Sequence, residues 1–216
     1  MSENDHKDTG KQSDGGLEFC SPFDNPEVKF KAATDCAYSG DIRKAEKLFL
    51  EIIEANSQHY PARIGLGTLY LQENRIDDAV SQLEAATKIN PDHPSAFVNL
   101  AAAFIQKGDF DAAVNECEEA LFIDPKHTPA YKNLSWAYLE KGEYQRCVFV
   151  AKKLLELEPE SGLAHNNIAV AYFYEKEYDK SLSHVRQAMD KGYPVHPEFF
   201  RDLNAKAGQG GGASSG

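Results

Sequence analysis

Apolar and polar positions along this chain follow two nested periods. The shorter is that of an amphipathic helix. Phe97, Leu100, Ala101 and Phe104 occupy i, i+3, i+4 and i+7, and Ala113, Cys117 and Ala120 form a second apolar stripe. Gly108 lies between the two stripes and predicts a helix C-terminus there, because glycine takes the left-handed conformation that such an end often needs. Pro125 follows the second stripe and predicts its end, since the residue before a proline avoids helical geometry. The pattern predicts a pair of helices joined by a short turn.

The longer period is 34 residues. It separates Pro91, Pro125 and Pro159, and it relates Gly108 to Gly142, with Gly40 two periods before Gly108. Ala45, Ala79 and Ala113 keep it, as do Tyr70, Phe104, Tyr138 and Tyr172, and Asn99, Asn133 and Asn167. A supersecondary unit repeated at fixed spacing cannot bury its apolar face alone, so the period predicts a stack of antiparallel helical hairpins.

These residues resemble the tetratricopeptide repeat family, whose pattern is W-x2-L-G-x2-Y, then A-x3-F, then P. The clearest copy reads Arg63-x2-Leu66-Gly67-x2-Tyr70, then Ala79-x3-Leu83, Ala86 and Pro91. The next reads Phe97-x2-Leu100-Ala101-x2-Phe104, then Ala113-x3-Cys117, Ala120 and Pro125. A third is Tyr131-x2-Leu134-Ser135-x2-Tyr138, then Cys147-x3-Ala151, Leu154 and Pro159. The fourth is His165-x2-Ile168-Ala169-x2-Tyr172, then Ser181-x3-Val185 and Ala188, with its proline displaced by one to Pro194. A degenerate first copy runs Ala32-Ala33-x2-Cys36, then Ala45-x3-Phe49, with Ser57 in place of proline. The resemblance implies an all-α, right-handed superhelical solenoid of about five repeats, tiling 26–59, 60–93, 94–127, 128–161 and 162–195. Residues 196–207 are expected to form a capping helix that covers the last apolar face through Phe199, Phe200 and Leu203.

The ends break the pattern. Residues 1–25 are polar, rich in Asp, Ser and Gly, and are expected to be disordered, and 208–216 is a Gly/Ser tail that cannot bury a core. Nothing in the first sixteen residues resembles a signal peptide, and Cys20 lacks the upstream apolar segment that a lipid-modified cysteine needs. No apolar run reaches the ~20 residues of a membrane span, so direct membrane insertion is not expected and a cytoplasmic location is. With 34 Asp and Glu against 23 Lys and Arg, the net charge is −11, which repels phosphate and argues against nucleic acid as a partner. Cys36, Cys117 and Cys147 fall in helical stripes, where a free thiol acts as a small hydrophobe.

Catalytic chemistry finds no foothold. Gly212-Ala213-Ser214-Ser215-Gly216 spells G-x-S-x-G, but that motif acts only on a strand-to-helix turn, and here it ends a tail. Gly65 and Gly67 fall within a predicted helix with no strand before them, so no phosphate loop follows. His59, His93 and His127 recur at the 34-residue period. Packed helices stand about 8–10 Å apart, whereas zinc holds its nitrogens at about 2 Å, so equivalent histidines cannot share one ion. No catalytic residue, cofactor site or metal site is expected, and the protein is not expected to be an enzyme.

The first helix of each repeat carries a second apolar stripe. It reads Ile64, Thr68, Leu71; Val98, Ala102, Ile105; Lys132, Trp136, Leu139; and Asn166, Val170, Phe173. In proteins that resemble this one, that stripe faces a concave, ligand-binding groove; the competing reading is packing between neighbouring repeats. Trp136 is the only tryptophan and lies outside the family's core tryptophan slot, which Tyr131 occupies, so it is expected to anchor an apolar side chain. Asn99, Asn133 and Asn167 suit either the backbone of an extended peptide or a bond between helices, since an amide offers donors and an acceptor. The expected groove is Ile64, Val98, Asn99, Lys132, Asn133, Trp136, Asn166, Asn167, Val170 and Phe173. Chaperone-binding members grip a terminal carboxylate with a Lys–Asn pair four residues apart. Here only Lys132 fits and its partner is Trp136, so such a clamp is not expected. The chain therefore reads as an adaptor or co-chaperone-like module for a peptide or amphipathic segment of a partner protein. A self-assembling scaffold, with homo-oligomers, and a non-catalytic subunit of an enzyme complex are the alternatives.

Overall fold

The computed structural model describes residues 25–210, and within them all regular structure is α-helical. The helices form five hairpins: α1 (Pro26–Tyr38) with α2 (Ile42–Ala55), α3 (Tyr60–Gln72) with α4 (Ile76–Ile89), and α5 (Pro94–Lys107) with α6 (Phe110–Ile123). They continue with α7 (Thr128–Glu140) and α8 (Tyr144–Leu157), then α9 (Gly162–Tyr174) and α10 (Tyr178–Asp190), and close with α11 (Pro197–Gly210). The chain is an all-helical solenoid. Residues 1–24 of the polar N-terminal tail, with Cys20, and the 212–216 motif lie outside the described residues. Gly208–Gly210 continue α11 instead of beginning the tail, which corrects the cap's expected end at residue 207.

The repeat period reappears as a packing pattern. Ala62, Ala96, Ala130 and Ala164, one in each repeat after the first, are each fully buried, and so are Ala45, Ala79, Ala113 and Cys147. Small side chains here let adjacent helices approach closely. Gly65 and Gly67 show how close the approach is: a Cβ at either would lie 2.6 Å from a neighbouring side chain, Phe49 Cζ and Leu83 Cγ respectively. Ser181 fills the same slot in the last repeat with no exposure, and its hydroxyl donates to the Ala169 carbonyl at 2.7 Å, so its polar atom is satisfied. Burial pushes the Cys117 and Cys147 thiols up to about 12, leaving them protonated apolar fillers.

Each hairpin turns through one left-handed residue, and these recur at the repeat spacing: Gly40 (φ 82°), Asn74 (φ 58°), Gly108 (φ 80°), Gly142 (φ 73°) and Lys176 (φ 63°). Glycine takes this region without a Cβ penalty, Asn tolerates it, and Lys does not. The histidines of the 34-residue ladder are helix N-caps. His59 Nδ1 accepts the Ala62 N–H at 3.1 Å, and His93 and His127 stand at the same position before α5 and α7. Among the described residues no three metal-ligating side chains cluster.

First helices touch one another along the array (α1–α3, α3–α5, α5–α7, α7–α9), while second helices make no comparable contacts. A stack whose members approach more closely on one side curves toward that side, so the first helices line its inner face. The cap covers the far end. Leu203 of α11 is fully buried with Ala169 and Val185, and Phe199 and Phe200 pack against the same cluster.

Candidate functional site: the inner face of the first helices

The inner face carries three hollows. The first, about 330 Å³, lies between α1 and α3 and is lined by Phe30, Thr34, Tyr38, Ile64 and Thr68. The second, about 300 Å³, lies between α5 and α7 and includes Ala102, Ile105, Lys132, Asn133 and Trp136. The third, about 530 Å³, joins α7 and α9 to the start of α11. Trp136 lines both the second and third hollows and keeps 39% of its surface exposed, although its helix neighbours Ser135 and Ala137 are fully buried. An indole left open between two hollows can accept an apolar or cationic side chain on its face.

Of the expected groove residues, Ile64 lines the first hollow, Lys132, Asn133 and Trp136 the second, and Trp136, Asn166 and Val170 the third. Two others, Val98 and Asn167, are buried in the packing, which corrects their expected groove-facing role, and a third, Phe173, is half-buried. Val98 is 7% exposed in a cluster with Ala120 and Ala130. Phe173 packs against the cap, its ring 5.2 Å edge-on from Phe199, and Lys206 lies 4.7 Å above it. Asn167 has no exposed surface at all.

The asparagine row resolves toward the structural alternative. Asn99 Nδ2 donates to Thr68 Oγ1 at 3.3 Å, Asn133 Nδ2 to the Val98 carbonyl at 3.2 Å, and Asn167 Nδ2 to Ser135 Oγ at 3.0 Å. In each case the acceptor belongs to the preceding first helix, so the row ties consecutive repeats together. Lys132 is also engaged: its Nζ lies 2.9 Å from Glu158 Oε2. Hydrogen bonds from Thr128 and Lys132 hold the Glu158 carboxyl below its usual range.

Sequence reasoning missed several walls of the third hollow. Tyr144 opens α8 and stacks on Tyr174, ring centroids 5.1 Å apart and planes 7° from parallel. Tyr193 and His196 lie in the connection to α11, and Phe199 on its first turn. None belongs to the stripe along the first helices, so the helical period could not point to them.

Models of the tetratricopeptide repeat match residues 30–80, 64–128 and 104–166, together more than half of the chain. Among solved structures, the crystal structure of MamA protein shares the fold with a TM-score of 0.70 at 19% identity, covering 77% of this chain and 91% of that one. The structure of YrrB, titled a TPR protein with an unusual peptide-binding site, gives 0.67 at 18% identity, covering 83% and 90%. No curated protein sequence matches significantly.

Proposed function

The chain belongs to the tetratricopeptide repeat family, and from that premise we propose that it is a non-catalytic interaction module that holds a segment of a partner protein along its inner face. The exposure of Trp136 between two hollows carries this reading. Large aromatic side chains left open in a concave surface are the usual anchors of protein interfaces. Ile64, Lys132, Asn133, Asn166 and Val170 complete the contact surface, with the apolar members supplying area and the Asn166 amide the polar contact. The peptide-binding site named for YrrB is compatible with this use of the fold. Among the described residues no helix is long and apolar enough to cross a membrane.

The test compares the partners retained by the wild-type protein and by Trp136→Glu, whose fold is checked by circular dichroism. A defined partner lost in the variant supports the inner-face reading; identical partners in both would remove it.

A second reading, self-assembly, rests on the second helices. Phe122 and Phe149 are 86% and 64% exposed there, outside the inner face. Sedimentation at low and high protein concentration separates the two, since only an assembling scaffold grows.

A further inference from the structure

The third hollow has a composition unlike the other two. Its walls include Trp136, Tyr144, Tyr174, Tyr193 and Phe199, and its one acidic side chain is Glu140. Glu140 is exposed and takes part in no ion pair among the described residues. It stands four residues after Trp136 on α7, which puts the carboxylate and the indole on one helix face. Tyr174 is 57% exposed, so the stack against Tyr144 and the perpendicular contact with Phe173 leave much of its ring open.

The electrostatics favour one kind of guest. An aromatic face is negative at its centre and attracts a cation, and a nearby carboxylate adds to the attraction. Glu140 is the last residue of α7 and Tyr174 the last of α9, so two helix C-termini, each with partial negative charge, meet at this hollow. Lys141 and Arg146, the basic side chains that follow Glu140 and Tyr144, are already held. Lys141 contacts Asp111 at 2.6 Å and Glu143 at 2.8 Å, and Arg146 contacts Glu143 at 2.9 Å.

Elsewhere the molecule fills comparable positions with its own cations. Arg75 lies 4.0 Å above Tyr70, Arg146 lies 5.6 Å from the Tyr138 centroid, and Lys180 lies 5.3 Å from that of Tyr172. Among the described residues no such cation covers Trp136, Tyr144, Tyr174, Tyr193 or Phe199. The hollow offers the aromatic faces and the carboxylate without the positive charge.

We infer that this hollow is a specificity pocket for an arginine side chain of the partner segment, its guanidinium stacked between Trp136 and Tyr174 and paired with Glu140. The inference rests on the inner-face reading above and narrows it to a basic segment. Arginine suits the site better than lysine because a planar, weakly hydrated guanidinium stacks on rings while its edge donates to a carboxylate. The chain's net charge of −11 steers such a segment toward it.

Trp136 reports directly on the site, because it is the only tryptophan in the chain. The experiment titrates the full chain with heptapeptides Ser-Gly-Leu-X-Leu-Gly-Ser, where X is Arg, Lys, citrulline, Leu or Glu, and follows tryptophan fluorescence. Citrulline keeps the shape of arginine and removes its charge. The expected result is saturable binding of the Arg peptide at least tenfold tighter than citrulline or Leu, with Lys between them and Glu weakest. Glu140→Gln and Tyr174→Ala, both at exposed positions, should each reduce the Arg preference several-fold. If the Leu or citrulline peptide binds as tightly as Arg, the arginine pocket is overturned and the inner-face reading stands. If no peptide perturbs Trp136, both are overturned.

Discussion

The Nδ1 atoms of His165 and His184 lie 3.0 Å apart across the α9–α10 hairpin, a distance at which one imidazole must donate and the other accept. His165 is 6% exposed. Burial is the main cause that lowers both rings, with Lys191 adding to it at His165, and His165 and Lys152 at His184, which falls to about 4; Glu160 alone opposes the shift. The Tyr172 ring lies 5.9 Å from that of His184, tilted by 35°.

A pH dependence follows. Below the ordinary histidine range near 6.5, the unfolded chain takes up protons that the folded pair refuses, so stability falls as pH drops from about 6.5 toward 4, and the pair contributes no slope above about 7. Urea denaturation at pH 7.5, 6.0 and 5.0 should show the fall. His184→Phe should flatten it between pH 6.5 and 5, above the range in which carboxylates dominate. An equal slope in the variant would assign the acid sensitivity elsewhere.

Lys176 occupies the left-handed turn position that glycine fills at 40, 108 and 142. It is exposed, so replacement removes strain without removing packing. Lys176→Gly should raise stability by roughly 0.5–1 kcal/mol, the relief of the left-handed penalty less the added freedom of the unfolded chain. Asn74→Gly should gain less, because Asn tolerates this region. Thermal denaturation of the two variants beside the wild type checks the order.

The adjacent asparagines of α9 should separate by assay. Asn167 is buried and bonded to Ser135, so Asn167→Ala should lower stability by about 1 kcal/mol and leave the affinity of the folded protein for its partner unchanged. Asn166 lines the third hollow. Asn166→Ala should keep stability within about 0.5 kcal/mol and weaken partner binding. Chemical denaturation and binding measured on the same preparations would expose a reversal of these roles.

The repeat was legible because the 34-residue period fixes the same packing contact again and again: Ala45, Ala79, Ala113 and Cys147 could be aligned by counting. The left-handed turns at Asn74 and Lys176 were harder to see, since only three of the five positions carry glycine, although the spacing from Gly40 and Gly142 reaches both. The inner face was legible in outline and blurred in detail. Helical spacing places a residue on a face within about a turn, and it cannot decide whether an amide at the edge of that face, such as Asn167, turns toward solvent or toward the next repeat. Phe173 fits the stripe, but α11 folds over it, a long-range event that no local period records. Tyr144 reaches the third hollow from the first residue of α8, and Tyr193 and His196 from the connection to α11, where the first-helix stripe carries no signal.

The most direct test of the inner face as the binding surface is site-specific photocrosslinking. A photoreactive phenylalanine analogue is placed in turn at Trp136 on the inner face and at Phe149 on α8, and each protein is irradiated in the cells that make it. The account predicts that one defined partner is captured from position 136 and not from position 149. Capture of the same partner from position 149 alone would contradict it and would move the binding surface to the second helices.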